Sequence, residues 1–369
     1  MTVRILQLKR YAQEGGGPES VQEARLEAGY GIVGSRREKP ERQVSILTNA
    51  AKSWMENQAE PGLCFQKLKE NILLEGGLNH GGKLAFGDVV LQVSPERKYC
   101  FASCVYRKEA AVCPLIDGMF FANVTQSGTV QVGESGYAVA PRYERNMNAL
   151  SAEEVAALHG KKVCVIGAGG LGGYIVEILA RIGVLQIMLV DYDVFEASNL
   201  NRQLFSTEPL LGVAKVEAAV RRIGEVNPEV RIRGVKERFS EDNAVELLRG
   251  HDVVVDALDN IQTRLLLARV CKELEIPMVH GSIAGWFGQV CTVFPGDDTM
   301  ERLYRGASGE RGGEVRLGNL PFTASVIASL QAAECVKLLT GRGDVIRNAV
   351  LQVDLLYGEC HRLDFEEFA

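Results

Sequence analysis

Hydrophobic and polar residues alternate with two different periods along this chain, and the change of period divides it. The opening run Met1-Thr-Val-Arg-Ile-Leu-Gln-Leu-Lys-Arg10 alternates like a strand. Further short strands are predicted at Arg42-Gln-Val-Ser-Ile-Leu47, Asp88-Val-Val-Leu-Gln-Val93, Phe120-Phe-Ala-Asn-Val124 and Thr129-Val-Gln-Val132, with Gly76-Gly77, Gly81-Gly82, Gly128 and Gly133 as turns. One helix, roughly Asn49 to Gln58, interrupts them, so residues 1–140 read as a mostly β, barrel-like domain. Pro141 to Asn148 forms a polar, charged joint. From Lys161 onward, apolar strands (Val163–Ile166, Ile187–Asp191, Val230–Val235, Val253–Ala257, Met278–Gly281) alternate with helix-period segments. Right-handed crossovers should join these into a Rossmann-like, largely parallel sheet over residues 141–369. The fold class expected is therefore α/β with a β-barrel in front.

Composition adds limits. A length of 369 residues suits two domains, and 46% hydrophobic with 24% charged residues is ordinary globular usage. No uninterrupted run of 18 apolar residues occurs, so no membrane span is expected. The first ten residues lack a secretory apolar core, and nine scattered cysteines, an odd number, argue for reduced thiols in the cytoplasm. Residues 1–145 hold 18 Lys+Arg against 16 Asp+Glu, and the remainder holds 23 against 31. So acidic a second half is a poor general binder of nucleic acid, whose phosphates dominate such affinity.

Gly167, Gly169 and Gly172 fit the G-x-G-x-x-G spacing between the strand Val163–Ile166 and a helix starting near Leu171, with Gly170 in the same turn. The first glycine permits the turn, the second lets the backbone approach a phosphate and the third allows close helix–strand packing. The helix start aims free N–H groups at the phosphates. Asp191 ends the next strand, 19 residues beyond Gly172, where a carboxylate accepts ribose hydroxyls; Asp193 follows two residues on. This much suits NAD as well as ATP. Asn199, Asn201, Arg202 and Gln203, then Lys215, decide for ATP. Cleavage between the α and β phosphates needs cations to stabilise the departing pyrophosphate, and Arg202 and Lys215 supply them. Arg145, in the joint, adds a third if that arm folds over a neighbouring subunit. Each basic residue alone reads as a solvated charge; the set behind a glycine loop does not. Asp259, followed by Asn260, falls at the carboxyl end of a strand, where it could hold Mg²⁺ bridging ATP phosphates or cap the following helix. Position alone leaves both open.

From about Arg142 to Phe365 these motifs, in order, resemble the MoeB/ThiF/HesA family of ubiquitin-activating-type adenylyltransferases. The resemblance implies that the C-terminal glycine carboxylate of a ubiquitin-fold sulfur carrier ending in Gly-Gly attacks the α-phosphate of ATP–Mg²⁺, giving an acyl-adenylate and pyrophosphate. It implies that Asp191 binds ribose, that Asn199, Arg202 and Lys215 bind phosphates with Arg145 in trans, and that Asp259 binds the metal. It also implies a homodimer. Two departures from the family pattern matter. Cys164, Cys271, Cys291, Cys335 and Cys360 are too isolated for the paired Cys-x-x-C of a structural zinc, and none is predicted; Cys164 and Cys335, within apolar strand or helix patterns, read as inert core thiols. The segment Gly296 to Asn319 lacks the thioester cysteine of some relatives and reads as a mobile loop over the carrier tail. This domain should stop at the adenylate.

In the first domain, Cys100, Cys104 and Cys113 form the one cysteine cluster. Their spacing of four and nine without a nearby His is weak for zinc. Arg97, Lys98, Arg107 and Lys108 beside them favour a thiolate, although three small barrel residues would look the same. Gly31-Ile-Val-Gly34, Arg42–Leu47, Glu70-Asn-Ile72, Leu84–Asp88, Lys98-Tyr-Cys100, Cys113-Pro and Gly118-Met-Phe120 run in the order of MOSC domains. That resemblance implies a barrel holding an anionic, molybdopterin-type cofactor with a cysteine handling sulfur. Gly34-Ser-Arg-Arg37 stands where small bacterial relatives often have an acid and an imidazole, and Arg36, Arg37, Lys39 and Arg42 either grip a phosphate or line a solvated loop.

Together these point to adenylation of a sulfur carrier for molybdenum or tungsten cofactor assembly, or for thiamine, with a cysteine desulfurase-type sulfur donor. Rival readings are adenylation of a carboxyl group on modified tRNA or a small molecule, an NAD-dependent oxidoreductase, and a non-catalytic scaffold.

Overall fold

The structure is a computed structural model that describes residues 1–12, 17–36, 40–108, 113–306 and 314–365, apart from the side chains of residues 108, 314 and 315. It divides into two compact units, Met1–Ala156 and Ala157–Ala369. The boundary falls beyond the expected one at residue 140. Residues 141–156 stay with the barrel because Glu144 pairs with Lys83 at 3.6 Å and Glu153 hydrogen-bonds Tyr137.

In the first unit, seven strands close on themselves in the order Thr2–Arg10, Ser135–Val139, Lys83–Phe86, Val89–Val93, Met119–Gln126, Val44–Thr48 and Ile72–Glu75, which pairs back to Thr2–Arg10. All pairings are antiparallel except Val44–Thr48 with Ile72–Glu75. Alternate residues fill the interior: Ile5, Ile46, Leu74, Leu91 and Phe120 are buried there. Closure removes the exposed edges that an open sheet of this size would present. The helix Asn49–Glu56 begins where predicted, with the Thr48 hydroxyl accepting from the Ala51 amide. Thr129–Gln131 belongs to a separate small sheet (Gly128–Gln131, Glu23–Glu27, Gly31–Ile32) rather than to the barrel wall.

The second unit holds an eight-stranded sheet in the order Arg231–Val235, Gln186–Val190, Lys162–Ile166, Val253–Asp256, Met278–Ala284, Phe287–Val293, Ala349–Asp354, Glu359–Asp364. The five predicted strands are all present and mutually parallel. The last three are antiparallel, so the sheet is mixed rather than largely parallel. A tight hairpin at Gly285-Trp286 reverses the chain, and the missing crossover helix removes the period-change signal on which the prediction relied. The helix Pro321–Thr340 is long and apolar enough to cross a membrane by length and composition alone. Here it packs on the sheet, burying Ala324, Ile327, Ala328, Gln331, Glu334 and Cys335. Glu334, within it, accepts from the Thr292 hydroxyl and the Ile346 amide, each at 2.7 Å, as expected of a core helix.

Candidate nucleotide site

Strand Lys162–Ile166 is the central one of the five parallel strands and is buried after its first residue. At its carboxyl end Gly167 turns the chain with φ of 103°, a region that disfavours side chains, and its amide bonds the Val190 carbonyl at 2.8 Å. A Cβ on Gly172 would stand 1.8 Å from the Gly167 carbonyl oxygen, so the turn and the start of helix Gly172–Ile182 require glycine there. Gly169 differs: a Cβ there would meet nothing nearer than Gln203 Nε2 at 3.7 Å. The loop needs Gly172 for its fold and leaves the space over Gly169 open. Gly170 lies against Arg202, whose Cδ is 3.5 Å from the place of a Cβ.

Asp191 follows the neighbouring strand and ties the site together. One carboxylate oxygen accepts from the Ala168 amide at 2.7 Å and the other from the Asp193 amide at 2.8 Å. A carboxylate has about four acceptor positions, so lone pairs remain for two ribose hydroxyls. Asp193 pairs with Lys215 at 3.1 Å, a buried ammonium at the start of helix Lys215–Val226. Asn199 is buried and also internal, its side chain closing a capping box with Glu196. That box fixes the turn from which Arg202 projects. The Arg202 guanidinium donates to the Ser198 carbonyl at 3.1 Å and to Asn201 Oδ1 at 2.9 Å. Burial lowers its pKa, and the Asp259 charge acts against that fall. Gln203 is 6% exposed, and its Oε1 is buried with no donor among the described residues. The other end of that amide, the donor Nε2, is the atom that faces Gly169.

Between Asp259 and Asn260 the structure decides what position alone could not. Asn260 caps helix Ile261–Glu273, accepting from the Thr263 amide at 3.0 Å and hydroxyl at 3.1 Å. Asn260 is thus the cap; Asp259 has no capping role and stays exposed. Among the described residues no three His, Cys, Asp or Glu side chains gather as a metal cage. One exposed carboxylate beside a phosphate site is the donor set Mg²⁺ uses when substrate oxygens complete its shell, so the residues present fit that ion.

Arg145 lies on the turn Pro141–Asn146 of the first unit, whereas Gly167–Gly172, Asp191, Arg202, Lys215 and Asp259 all belong to the second. Residues that pattern reading missed lie beneath the loop: Asp256, Arg264, His280 and Tyr304, linked through side chains. The available signal was a polar residue in each of two otherwise apolar runs, Val253-Val-Val-Asp256 and Met278-Val-His280. Cys164 and Cys335 are core thiols as expected, and burial pushes both pKa values up. Of the segment Gly296 to Asn319, Asp297 is paired with Arg347 at 2.8 Å and Thr299–Leu303 is helical; residues 307–313 lie outside the described residues.

In the first unit, Cys104 and Cys113 are buried and Cys100 half-buried; Cys64, which pattern reading left out, lies in one apolar cluster with Cys113. The expected cationic activation is not what the geometry provides. Arg97 is paired with Asp117 at 3.1 Å, and Arg107 donates to the Cys100 carbonyl at 2.8 Å. Burial and the nearby Cys104 raise the Cys100 pKa in spite of Lys98. Burial also pushes Cys104 up, but hydrogen bonds from the Leu63 and Tyr106 amides, the Cys100 thiol and the Arg107 amide outweigh it, and its pKa is lowered. Cys104 is thus the thiolate-prone member. Arg42 lies over the Phe121 ring at 4.5 Å, on the flank of that cluster, and pairs with Glu96 at 3.2 Å. Arg37 and Lys39 lie outside the described residues.

Comparison with known proteins agrees with the second unit. The profile of the ThiF family matches residues 143–368. The chain is 36% identical over 219 residues to the SAMP-activating enzyme E1 of Haloferax volcanii, covering 58% of this chain and 81% of that protein. It is 34% identical over 221 residues to the molybdopterin-synthase adenylyltransferase of Salmonella typhimurium, covering 58% of this chain and 88% of that one. Among solved structures, E. coli MccB with ATP superposes with a TM-score of 0.52 at 20% identity, covering 60% of this chain and 71% of that one, a likeness of fold.

Proposed function

The chain belongs to the ThiF family, and we propose that its second unit adenylates the C-terminal glycine of a ubiquitin-fold sulfur carrier. One observation carries the reading: Arg202 lies against the glycine loop, in the field of Asp259, so cation and carboxylate meet where phosphates would lie. A dinucleotide oxidoreductase has no use for that pair at the phosphate end. The two curated relatives support the same chemistry through their names, an activating enzyme and an adenylyltransferase.

The residues divide the work as follows. The open backbone at Gly169 and Gly170 receives phosphate oxygens on unpaired amides of the helix start. Asp191 accepts the ribose hydroxyls with its remaining lone pairs, and Gln203 Nε2, beside Gly169, donates to a nucleotide oxygen. The carrier's terminal carboxylate attacks the α-phosphorus, a new P–O bond forms, and the bond to the β-phosphate oxygen breaks. Charge that accumulates on pyrophosphate is met by Lys215, buried, and Arg202, half-buried, both already held by hydrogen bonds or ion pairs, so little reorganisation is needed. Mg²⁺, when bound at Asp259 and the phosphates, neutralises part of the same charge. In our proposal Arg145 reaches this site from a second copy of the chain, which makes the enzyme a homodimer.

For the barrel we propose the MOSC-like reading: an anionic, molybdopterin-type ligand near Arg42, with Cys104, whose pKa is lowered, serving its sulfur chemistry. The closed seven-stranded wall, the motif order and the thiolate-prone cysteine support it. Molybdenum or tungsten cofactor assembly in the cytoplasm, with a cysteine desulfurase-type donor after the adenylate, is the setting that joins both units.

ATP–pyrophosphate exchange stimulated by a Gly-Gly-ended carrier, with the adenylate seen by mass spectrometry, is the expected result. Exchange with deproteinised tRNA and not with any carrier would replace this reading with the RNA one.

A further inference from the structure

Asp256 ends one strand of the sheet and His280 is its register partner on the next; both are 0% exposed. His280 Nδ1 and Asp256 Oδ2 are 2.7 Å apart. Burial lowers the His280 pKa against the pull of Asp256, so the ring is neutral and its single proton belongs on Nδ1, toward the carboxylate. Nε2 is then an acceptor, and the Tyr304 hydroxyl, 3.2 Å away, donates to it. The Tyr304 oxygen in turn accepts from Arg264 Nη1 at 2.8 Å. The other arm of that guanidinium donates to the Leu258 carbonyl, and Asp256 Oδ1 accepts from the Leu258 amide at 3.0 Å. The chain of bonds closes on itself: both polar groups of Leu258 are held by one ring of four side chains, of which Asp256, Arg264 and His280 are buried and Tyr304 is half-buried. Leu258 is the residue before Asp259.

We propose that Asp256, Arg264, His280 and Tyr304 are positioning residues that fix the two peptides on either side of Leu258 and so aim the Asp259 carboxylate at the metal and phosphates. An apolar core of the same volume would stabilise the fold at least as well, since buried charge is costly to desolvate. A rigid directional network is useful where a backbone must be held, and a displacement of about 1 Å at a reacting group can cost about 100-fold in rate. Helix Ile261–Glu273 already has Asn260 as its cap, so the network is not needed to start it.

This inference rests on the adenylation reading, and its test separates the two. Tyr304→Phe removes the hydroxyl that joins His280 to Arg264. The expected result is a fall in kcat for carrier-stimulated exchange of about 10- to 100-fold, with KM for the carrier unchanged. The Mg²⁺ concentration for half-maximal exchange should rise several-fold. Calorimetry adds a readout without turnover: ATP affinity without Mg²⁺ stays at the parental value, while the gain from adding Mg²⁺ shrinks. His280→Gln, which keeps an acceptor for Tyr304 and a donor for Asp256, should recover part of both effects and serves if Tyr304→Phe does not fold. Folded variants with parental kcat and Mg²⁺ dependence would overturn the proposal. Equal losses of ATP affinity with and without Mg²⁺ would also overturn it, as general loosening. A parent that shows no exchange with carriers would instead undo the adenylation reading, and the calorimetric comparison would still judge the positioning.

Discussion

Two glycines three residues apart should respond in opposite ways to the same added methyl group. In Gly172→Ala the new Cβ would lie 1.8 Å from the Gly167 carbonyl oxygen, a backbone atom that no rotamer change can move away. Overpacking of this kind costs about 3 kcal/mol or more. In Gly169→Ala the nearest atom is the end of the Gln203 side chain at 3.7 Å, and Gly169 does not have a positive φ. Its fold should therefore be as stable as the parent, or about 0.5 kcal/mol more stable through the restricted unfolded chain. The methyl group, however, occupies the space a phosphate needs to reach the backbone. Loss of one charge-assisted amide–phosphate bond, worth about 1.5–3 kcal/mol, raises the ATP Kd about 10- to 100-fold. Urea midpoints with calorimetric ATP titrations measure both quantities. Gly169→Ala binding ATP within twofold of the parent, or Gly172→Ala unfolding at the parental midpoint, would refute the assignment of the loop.

Other expectations follow from single contacts. Lys215→Met removes an ammonium whose partner Asp193 is 46% exposed and can return to water, so stability should change by under about 1 kcal/mol while exchange falls at least about 100-fold. An active Lys215→Met enzyme would exclude Lys215 from the phosphate site. Glu177 bonds Arg181 at 2.6 Å and Arg222 at 3.1 Å; burial raises its pKa, but these bonds outweigh it and leave the value lowered. A lowered carboxylate pKa stabilises the fold above the unfolded-state value near 4.3 and loses that contribution as pH falls through the folded value. Glu177→Gln should thus cost about 1–2 kcal/mol at pH 7, the arginines being half-exposed, and almost nothing in strong acid, by urea unfolding across pH. Alkylation of the first unit followed by mass spectrometry should show a lower pH midpoint at Cys104 than at Cys100; the reverse order would contradict the amide-stabilised thiolate.

Contiguous features were legible before any tertiary structure. Gly167 to Gly172, the strand before it and Asp191 after the next strand encode a backbone path through neighbouring residues, and that path is present. The same holds for the helix starting at Asn49, because Thr48 caps it locally. Cys164 and Cys335 were readable as core thiols from their apolar surroundings. Choices between adjacent residues were not legible: whether Asp259 or Asn260 caps the helix depends on which backbone angles the buried Leu258 peptide imposes. Nor was the antiparallel half of the sheet, which depends on a hairpin at Gly285-Trp286 that no periodicity announces. The ring of Asp256, Arg264, His280 and Tyr304 draws on two strands, one helix and a turn, and Cys64 joins Cys113 from 49 residues away. Short-range sequence sets local backbone angles and hydrogen-bonding capacity, and these determined the phosphate loop. Which distant polar groups are buried together is set by the packing of whole segments, so only the tertiary structure could decide what holds Asp259 in place.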